Sequence, residues 1–312
     1  MNNIWPYVDT SLRKQILKTL KSNRFNYHTG NNCKKFENNF SKYHNIKHSF
    51  CISNATIGLE IALISLGIKM KDEVIVSTRS YFTSASCISR IGANPIFADI
   101  KNDLTIDPYD IEKKITKKTK AIICIHISGI PCDMNAIKKI ANKYQLKIIE
   151  DCSQAHGAKV DKKLVGTFGD VAVWSFCNDK IISTLGEGGM IATNNKSIAN
   201  QIWSLKDNGK NYKKFYNQSK KNNFKYLHDF IGTNARMTEL QAVAGIYQLN
   251  SLDQTLSKRN KIAKTYTKIL SKSKIFEPIT INQKNYCSYY KFPFLINFDE
   301  IKKGITYQKI MN

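Results

Sequence analysis

From residue 48 onward the chain alternates short apolar runs with longer amphipathic segments, and this alternation constrains the fold more than any other feature. The runs "HSFCIS" (48–53), "DEVIVS" (72–77), "NPIFADI" (94–100), "TKAIICIH" (119–126), "LKIIED" (146–151), "DVAVWSF" (170–176) and "GGMIAT" (188–193) read as strands. Their β-branched and aromatic content supports that reading. Between them, "TIGLEIALISLG" (56–67), "SASCISRIG" (84–92) and "MNAIKKIANKY" (134–144) have helical spacing. Strands that are apolar on both faces need cover on both faces, which predicts an α/β fold with a mostly parallel sheet between helices. Helices are also expected over 12–21, 36–44 and 237–270, with a second, smaller domain from about residue 251. In sheets of this kind, ligands bind at the carboxyl ends of strands, often against helix N-termini.

Chemically distinctive residues collect at those ends. The run "IIEDCSQAHGA" (148–158) finishes a strand with two acids. Asp151 there could pair with a cationic ring nitrogen, coordinate a metal or cap the next segment. In "SFCNDKIISTLGEGGM" (175–190), Lys180 follows a buried strand and precedes a loop with three glycines, Gly186, Gly188 and Gly189. Glycines in such a loop permit positive φ or close backbone approach. A lysine held in such a site can form a Schiff base with an aldehyde. Pyridoxal phosphate needs such a lysine together with an acid for its ring nitrogen. It also needs phosphate donors, and "SNATIG" (53–58) supplies small and hydroxyl residues at a strand-to-helix junction. The G-x-G-x-x-G dinucleotide fingerprint is absent, which lowers a dehydrogenase reading.

The net charge of +24 invites a nucleic-acid reading, but the lysines spread over the whole chain and no zinc-finger spacing, RNP-like signature or repeat accompanies them. No metal site is expected either, because the eight cysteines are scattered without a C-x-x-C pair, a pattern of reduced thiols in a cytoplasmic protein. No apolar run is long enough for a membrane span, and the first residues lack the apolar stretch of a secretory signal. The stretch "KNYKKFYNQSKKNNFKYL" (210–227), with six lysines and no acid, reads as a solvated loop, or else as a basic flap near an anionic ligand.

Taken in order, "FENNFSKYHNIKHSFCISNATIGLEIAL", "KDEVIVS", "GANPIFADI", "TKAIICIHISGIPCDMNAI", "IIEDCSQAHGA", "SFCNDKIISTLGEGGM" and "IGTNARMTELQA" resemble the DegT/DnrJ/EryC1/StrS family of pyridoxal-phosphate-dependent nucleotide-sugar aminotransferases. The resemblance implies fold type I, with a seven-stranded type of sheet in a large domain over 1–250 and a smaller domain over 251–312. It implies a homodimer with shared active sites. Lys180 then matches the lysine that binds the cofactor and moves the proton, and Asp151 matches the partner of the ring nitrogen. Gln154 matches the contact to the ring's phenolic oxygen. Tyr81 matches the aromatic that stacks on the ring, with Phe82 as the neighbouring alternative. Thr56, the backbone amide of Ile57, and Ser175 match the phosphate site, and Asn234 matches an asparagine lent to the partner's phosphate. His126 and His156 are expected to be structural. Ala55 stands where the family usually has glycine.

The implied reaction moves an amino group from glutamate to a nucleotide-diphospho-keto-sugar, a 4-keto-6-deoxyhexose by resemblance of the "GEGGM" segment to perosamine-type enzymes. Family members that dehydrate the sugar carry histidine in place of the lysine, so Lys180 argues for amino transfer. Family members continue for several dozen residues past "SYYKFPFLINFDEIKKGITYQKIMN". The expected consequence is an incomplete small domain with weakened sugar turnover. The alternative is a non-catalytic protein that binds cofactor or dimerises.

Overall fold

The computed structural model describes residues 5–216, 227–301 and 308–309. Helices α1 (Thr10–Lys21) and α2 (Asn32–His44) precede strand β1 (His48–Ile52), helix α3 (Ala55–Ser65), β2 (Glu73–Ser77), α4 (Thr83–Arg90) and β3 (Asn94–Ala98). Then come α5 (Pro108–Lys113), β4 (Thr119–Ile125), α6 (Met134–Tyr144), β5 (Lys147–Asp151) and a small hairpin, β6 (Lys159–Val160) and β7 (Lys163–Leu164). Strands β8 (Val171–Ser175) and β9 (Gly189–Thr193) lead to α7 (Lys196–Lys206) and the short α8 (Tyr212–Tyr216). Helices α9 (Glu239–Asn250) and α10 (Leu252–Leu270) are followed by β10 (Phe276–Pro278), β11 (Asn285–Tyr286) and β12 (Phe294–Ile296).

Seven strands form the central sheet in the order β1-β9-β8-β5-β4-β2-β3. Only β9 runs against the others, pairing antiparallel with both β1 and β8. The side chains explain why helices cover both faces. Along β8, Val171 and Val173 enter one apolar cluster while Ala172 and Trp174 enter the other. Strand β4 repeats this, with Ala121, Ile123 and Ile125 on one side and Ile122 and Cys124 on the other. Successive strand side chains point to opposite faces, so a strand apolar at every position makes two cores. Phe36 and Phe40 of α2 and Ile137 of α6 close one face, and Leu59 and Leu63 of α3, Ile88 of α4 and Ile202 of α7 close the other.

The structure refines two expectations. The helical stretch over 237–270 is two helices broken at Ser251, with a capping box from Thr238 and Gln241 opening the first. The basic stretch over 210–227 is not all loop, because Tyr212–Tyr216 is helical. Tyr212, Phe215 and Tyr216 all lie against the buried Trp203, which gives that helix an apolar face. The remainder of the stretch, 217–226, lies outside the described residues.

The chain after α10 divides between two partners. Strands β10 and β12 pair with each other, whereas β11 pairs with β6 of the hairpin beside the central sheet. Among the described residues, no helix is long and apolar enough to cross a membrane.

Candidate active site

Parallel strands bring their carboxyl ends to one edge of the sheet, and register aligns them. Ile125 pairs with Asp151, and Asp151 with Val173, two residues before Ser175. Antiparallel β9 starts at the same edge, with Gly189 opposite both Ile52 and Ser175. A cavity of about 810 Å³ opens there, between the N-terminus of α3, the loop leading into α4, the ends of β4, β5 and β8, and Tyr290 and Lys291.

Asp151 lies in its floor and is buried. Its Oδ2 accepts a hydrogen bond from Ser84 Oγ at 2.9 Å, and its Oδ1 accepts from the Ser153 backbone at 3.1 Å. Among the described residues no basic side chain pairs with it. Buried carboxylates normally have a cationic partner, so this one suits a positive group brought by a ligand.

Lys180 stands on a turn after β8, held by its own N–H to the Cys177 carbonyl at 3.1 Å. The Trp5 indole donates to the Lys180 carbonyl at 3.0 Å. The side chain is mostly buried, with Nζ 3.4 Å from the Tyr290 hydroxyl and 3.8 Å from Asp179 Oδ1. The following loop returns to the sheet through Phe176 N–H to the Gly188 carbonyl and Thr184 Oγ1 to the Glu187 carbonyl. Gly186 takes φ +130° in open space, whereas Gly189 is needed for close approach. A Cβ there would lie 2.8 Å from the Trp174 carbonyl oxygen and 3.1 Å from the Ala55 nitrogen.

Six of the eight residues expected at the site line the cavity together: Thr56, Tyr81, Asp151, Gln154, Ser175 and Lys180. The Gln154 amide oxygen accepts from Ser128 N–H at 2.7 Å, which leaves its NH₂ group as the donor for a ligand oxygen. Tyr81 is 70% exposed, with its ring uncovered at the cavity wall. The other two residues stand apart. Ile57 N–H donates to Asn54 Oδ1 at 3.0 Å, the N-cap of α3, so that amide is already engaged. Asn234 is exposed, bridges to Asp207 and does not line the cavity.

The two histidines support the site from behind. A backbone N–H can only donate, so the Cys132 N–H fixes His126 Nδ1 as an acceptor, and Nε2–H faces Glu150 at 3.2 Å. The Glu150 carboxylate also accepts N–H groups of Gly166, Phe168 and Gly169, each at 2.7 Å. Burial pushes the Glu150 carboxyl up, but His126 and these amides outweigh it and hold the group below its usual range. His126, Glu150 and Cys152 put ligand-type atoms within 4.8 Å of one another, yet hydrogen bonds already occupy both carboxylate oxygens. His156 Nε2 donates to the Ser175 carbonyl at 3.0 Å, and burial pulls its imidazole down to about 3.

Several lining residues had no local sequence signal. Ser84 sits 67 positions from Asp151, and Tyr290 sits 110 positions from Lys180. Only the folded chain brings them together. The donor set fits pyridoxal phosphate: a buried carboxylate with no cationic partner among the described residues, an amine on the wall, and the hydroxyls of Thr56 and Ser175 near the start of α3.

The sequence profile of the DegT/DnrJ/EryC1/StrS aminotransferase family matches residues 6–311. The GDP-perosamine synthase of Escherichia coli O157:H7 is 42% identical over 240 residues, 77% of this chain and 63% of that enzyme. The GDP-perosamine synthase of Vibrio cholerae is 39% identical over 233 residues, 74% of this chain and 60% of its own. The matches thus span less than two thirds of either synthase. The X-ray structure of an aminotransferase from Psychrobacter cryohalolentis is similar with a TM-score of 0.95 at 36% identity, covering 98% of this chain and 80% of that one. A cavity with this donor set, a sheet of this order and a match from residue 6 to residue 311 lead to one conclusion: the chain belongs to the DegT/DnrJ/EryC1/StrS aminotransferase family, whose fold and pyridoxal-phosphate dependence it shares.

Proposed function

We propose that this protein transfers an amino group from glutamate to a nucleotide-diphospho-keto-sugar, with a 4-keto-6-deoxyhexose as the sugar. The observation that carries the reading is the pairing, in one cavity, of a buried carboxylate that has no cationic partner among the described residues with the amine of Lys180. Similarity to two GDP-perosamine synthases, and to a dTDP-3-amino-3,6-dideoxy-alpha-D-galactopyranose transaminase of Aneurinibacillus thermoaerophilus, supports an activated sugar as the substrate.

When bound, pyridoxal phosphate supplies an electron sink that lets a C–H bond beside nitrogen ionise. Lys180 Nζ is the attachment point and the base that moves the proton at that carbon. Asp151 would keep the ring nitrogen cationic through its charge, with Ser84 and Ser153 fixing the carboxylate's orientation. Tyr81 would lie against the ring, and the NH₂ of Gln154 would donate to its phenolic oxygen. Thr56 and Ser175 would hold the phosphate at the α3 N-terminus. The Ile57 amide joins them only if the Asn54 cap yields. Asn234 completes the site of a second copy, so the working unit is a homodimer.

The small domain is proposed to begin near residue 251. A cytoplasmic setting belongs to the same reading, and all eight cysteines are free. The test is borohydride reduction of the protein loaded with pyridoxal phosphate, followed by peptide mapping, alongside turnover assays with glutamate and a panel of nucleotide keto-sugars. The adduct is expected on Lys180, and an adduct on any other lysine overturns the assignment. Cofactor uptake without amino transfer to any keto-sugar overturns the activity and leaves a cofactor-binding protein.

A further inference from the structure

Lys180 has two close neighbours to which the sequence assigns no role. The Tyr290 hydroxyl hydrogen-bonds to Asp179 Oδ2. Lys180 Nζ stands 3.4 Å from that hydroxyl, 3.8 Å from Asp179 Oδ1 and 4.5 Å from the centre of the Tyr290 ring. The direction of each bond follows from chemistry. An ionised carboxylate only accepts, so the tyrosine O–H points at Asp179 and its lone pairs are left for the ammonium. Burial raises the Asp179 carboxyl, but Tyr290 and Lys180 outweigh it and hold the group below its ordinary value. The lysine is thus gripped from one side by a hydroxyl, a ring face and a carboxylate.

The backbone, and not the tyrosine side chain alone, fixes this arrangement. The preceding Ser288 is buried, donates from its N–H to the Gly129 carbonyl at 3.1 Å and from Oγ to the Gln154 carbonyl at 3.2 Å. Arg259 Nη1 donates to the Tyr289 carbonyl at 2.9 Å, and Asn260 Nδ2 to the Cys287 carbonyl at 3.0 Å. Tyr289 itself adopts φ 48°, a left-handed conformation unusual for a bulky residue. That turn directs the chain so that Tyr290 and Lys291 line the cavity.

We propose that Asp179 and Tyr290 form a positioning couple, which orients the Lys180 amine for attachment of pyridoxal phosphate and seats the 285–291 segment over the cavity. The proposal rests on Lys180 being the attachment point. Both residues act through the lysine and neither reacts.

The test compares Tyr290→Phe, which keeps the ring, and Asp179→Asn, which keeps the shape, with the unaltered protein. The cofactor-free chains are mixed with pyridoxal phosphate, and attachment is followed by visible absorption while melting temperature is measured separately. Losing one such hydrogen bond should slow attachment by about three- to tenfold, with the melting temperature nearly unchanged. The double variant should be no slower than the slower single variant, because the groups act as one unit. Asp179→Glu should restore part of the rate. Attachment rates within about twofold of the unaltered protein in both variants would overturn the couple. Slowing that tracks a fall in melting temperature and is not relieved by Asp179→Glu would also overturn it, as a merely structural effect. Lys180→Ala separates the two layers of inference. If it abolishes the visible band, the attachment reading stands whatever the couple does; if the band persists, both readings fall.

Discussion

Asp151 and His44 illustrate how burial assigns opposite tasks to two titratable side chains. Asp151 is buried yet faces the cavity and keeps two hydrogen-bond donors, Ser84 and Ser153. Asp151→Asn preserves shape and removes charge. We predict that the variant folds and binds some pyridoxal phosphate, with amino transfer slowed by about a hundredfold or more. Single-turnover kinetics with glutamate check this, and near-normal transfer would remove Asp151 from the proposed role. His44, in contrast, is packed between Phe40 and Trp174, with ring centres 4.0 and 5.0 Å away. Its Nδ1 donates to the Phe40 carbonyl at 3.2 Å, and its buried Nε2 has no partner among the described residues. Burial pulls this imidazole down to about 4. Between the unfolded value of about 6.5 and that folded value, the unfolded chain takes up a proton that the folded chain refuses. The stability of neutral His44 is therefore complete above that window and is lost as pH falls through it. His44→Phe should remove a loss of roughly 2 kcal/mol by pH ~4.5. Urea unfolding of both proteins at neutral and acidic pH measures the difference, and parallel pH slopes would contradict it.

At the scale of elements, the junction of β1, α3 and β9 borders the cavity, whose wall includes Asn54, Ala55 and Thr56. Asn54 has extended backbone and caps α3 through Ile57 N–H. Asn54→Ala should cost about 1 kcal/mol, read by denaturant unfolding. Gly189→Ala should cost more than that. Its Cβ would meet backbone atoms of Trp174, Ala55 and Asn54, which cannot swing aside as a flexible side chain can. Strand β9 would have to shift from its antiparallel register with both neighbours. A melting temperature for Gly189→Ala at or above that of Asn54→Ala would refute this ordering. Helix α8 shows the same physics from the other side. Its lysines suggest a solvated loop, but Tyr212, Phe215 and Tyr216 fall at helical spacing and cover Trp203.

At the scale of the molecule, the proposed dimer makes a prediction that no single chain can satisfy. If Asn234 serves a partner's site, a Lys180→Ala chain mixed with an Asn234→Ala chain should build dimers with one intact site. Pyridoxal phosphate affinity and the visible band should then recover in the mixture after subunit exchange. Absence of recovery, with exchange confirmed by sedimentation, would show that Asn234 does not serve a second copy. Asn234 is exposed, and the strand-like bridge that carries it is tied to Asp207, which receives Lys210 at 2.9 Å and Arg236 at 2.7 Å. An exposed side chain on a backbone anchored in this way is what a shared site needs.

Local chemistry makes much of this protein legible in its sequence. Strands apolar at every position, such as 119–126 and 170–176, require cover on both faces, so the layered α/β fold follows from the residues themselves. Asp151 and Lys180 were legible for a related reason: the ends of such strands are where ligands reach the backbone, and the two residue types match one cofactor's needs. The long-range partners were not legible. Nothing around Tyr290 marks it as a neighbour of Lys180, and nothing around Ser84 ties it to Asp151. The antiparallel direction of β9 was also hidden, since periodicity reports which faces are buried and not which way a strand runs. Those features depend on the path of the chain between elements, through loops and turns such as the one at Tyr289. Burial pattern is written residue by residue, whereas the meeting of distant side chains is decided only when the whole chain packs.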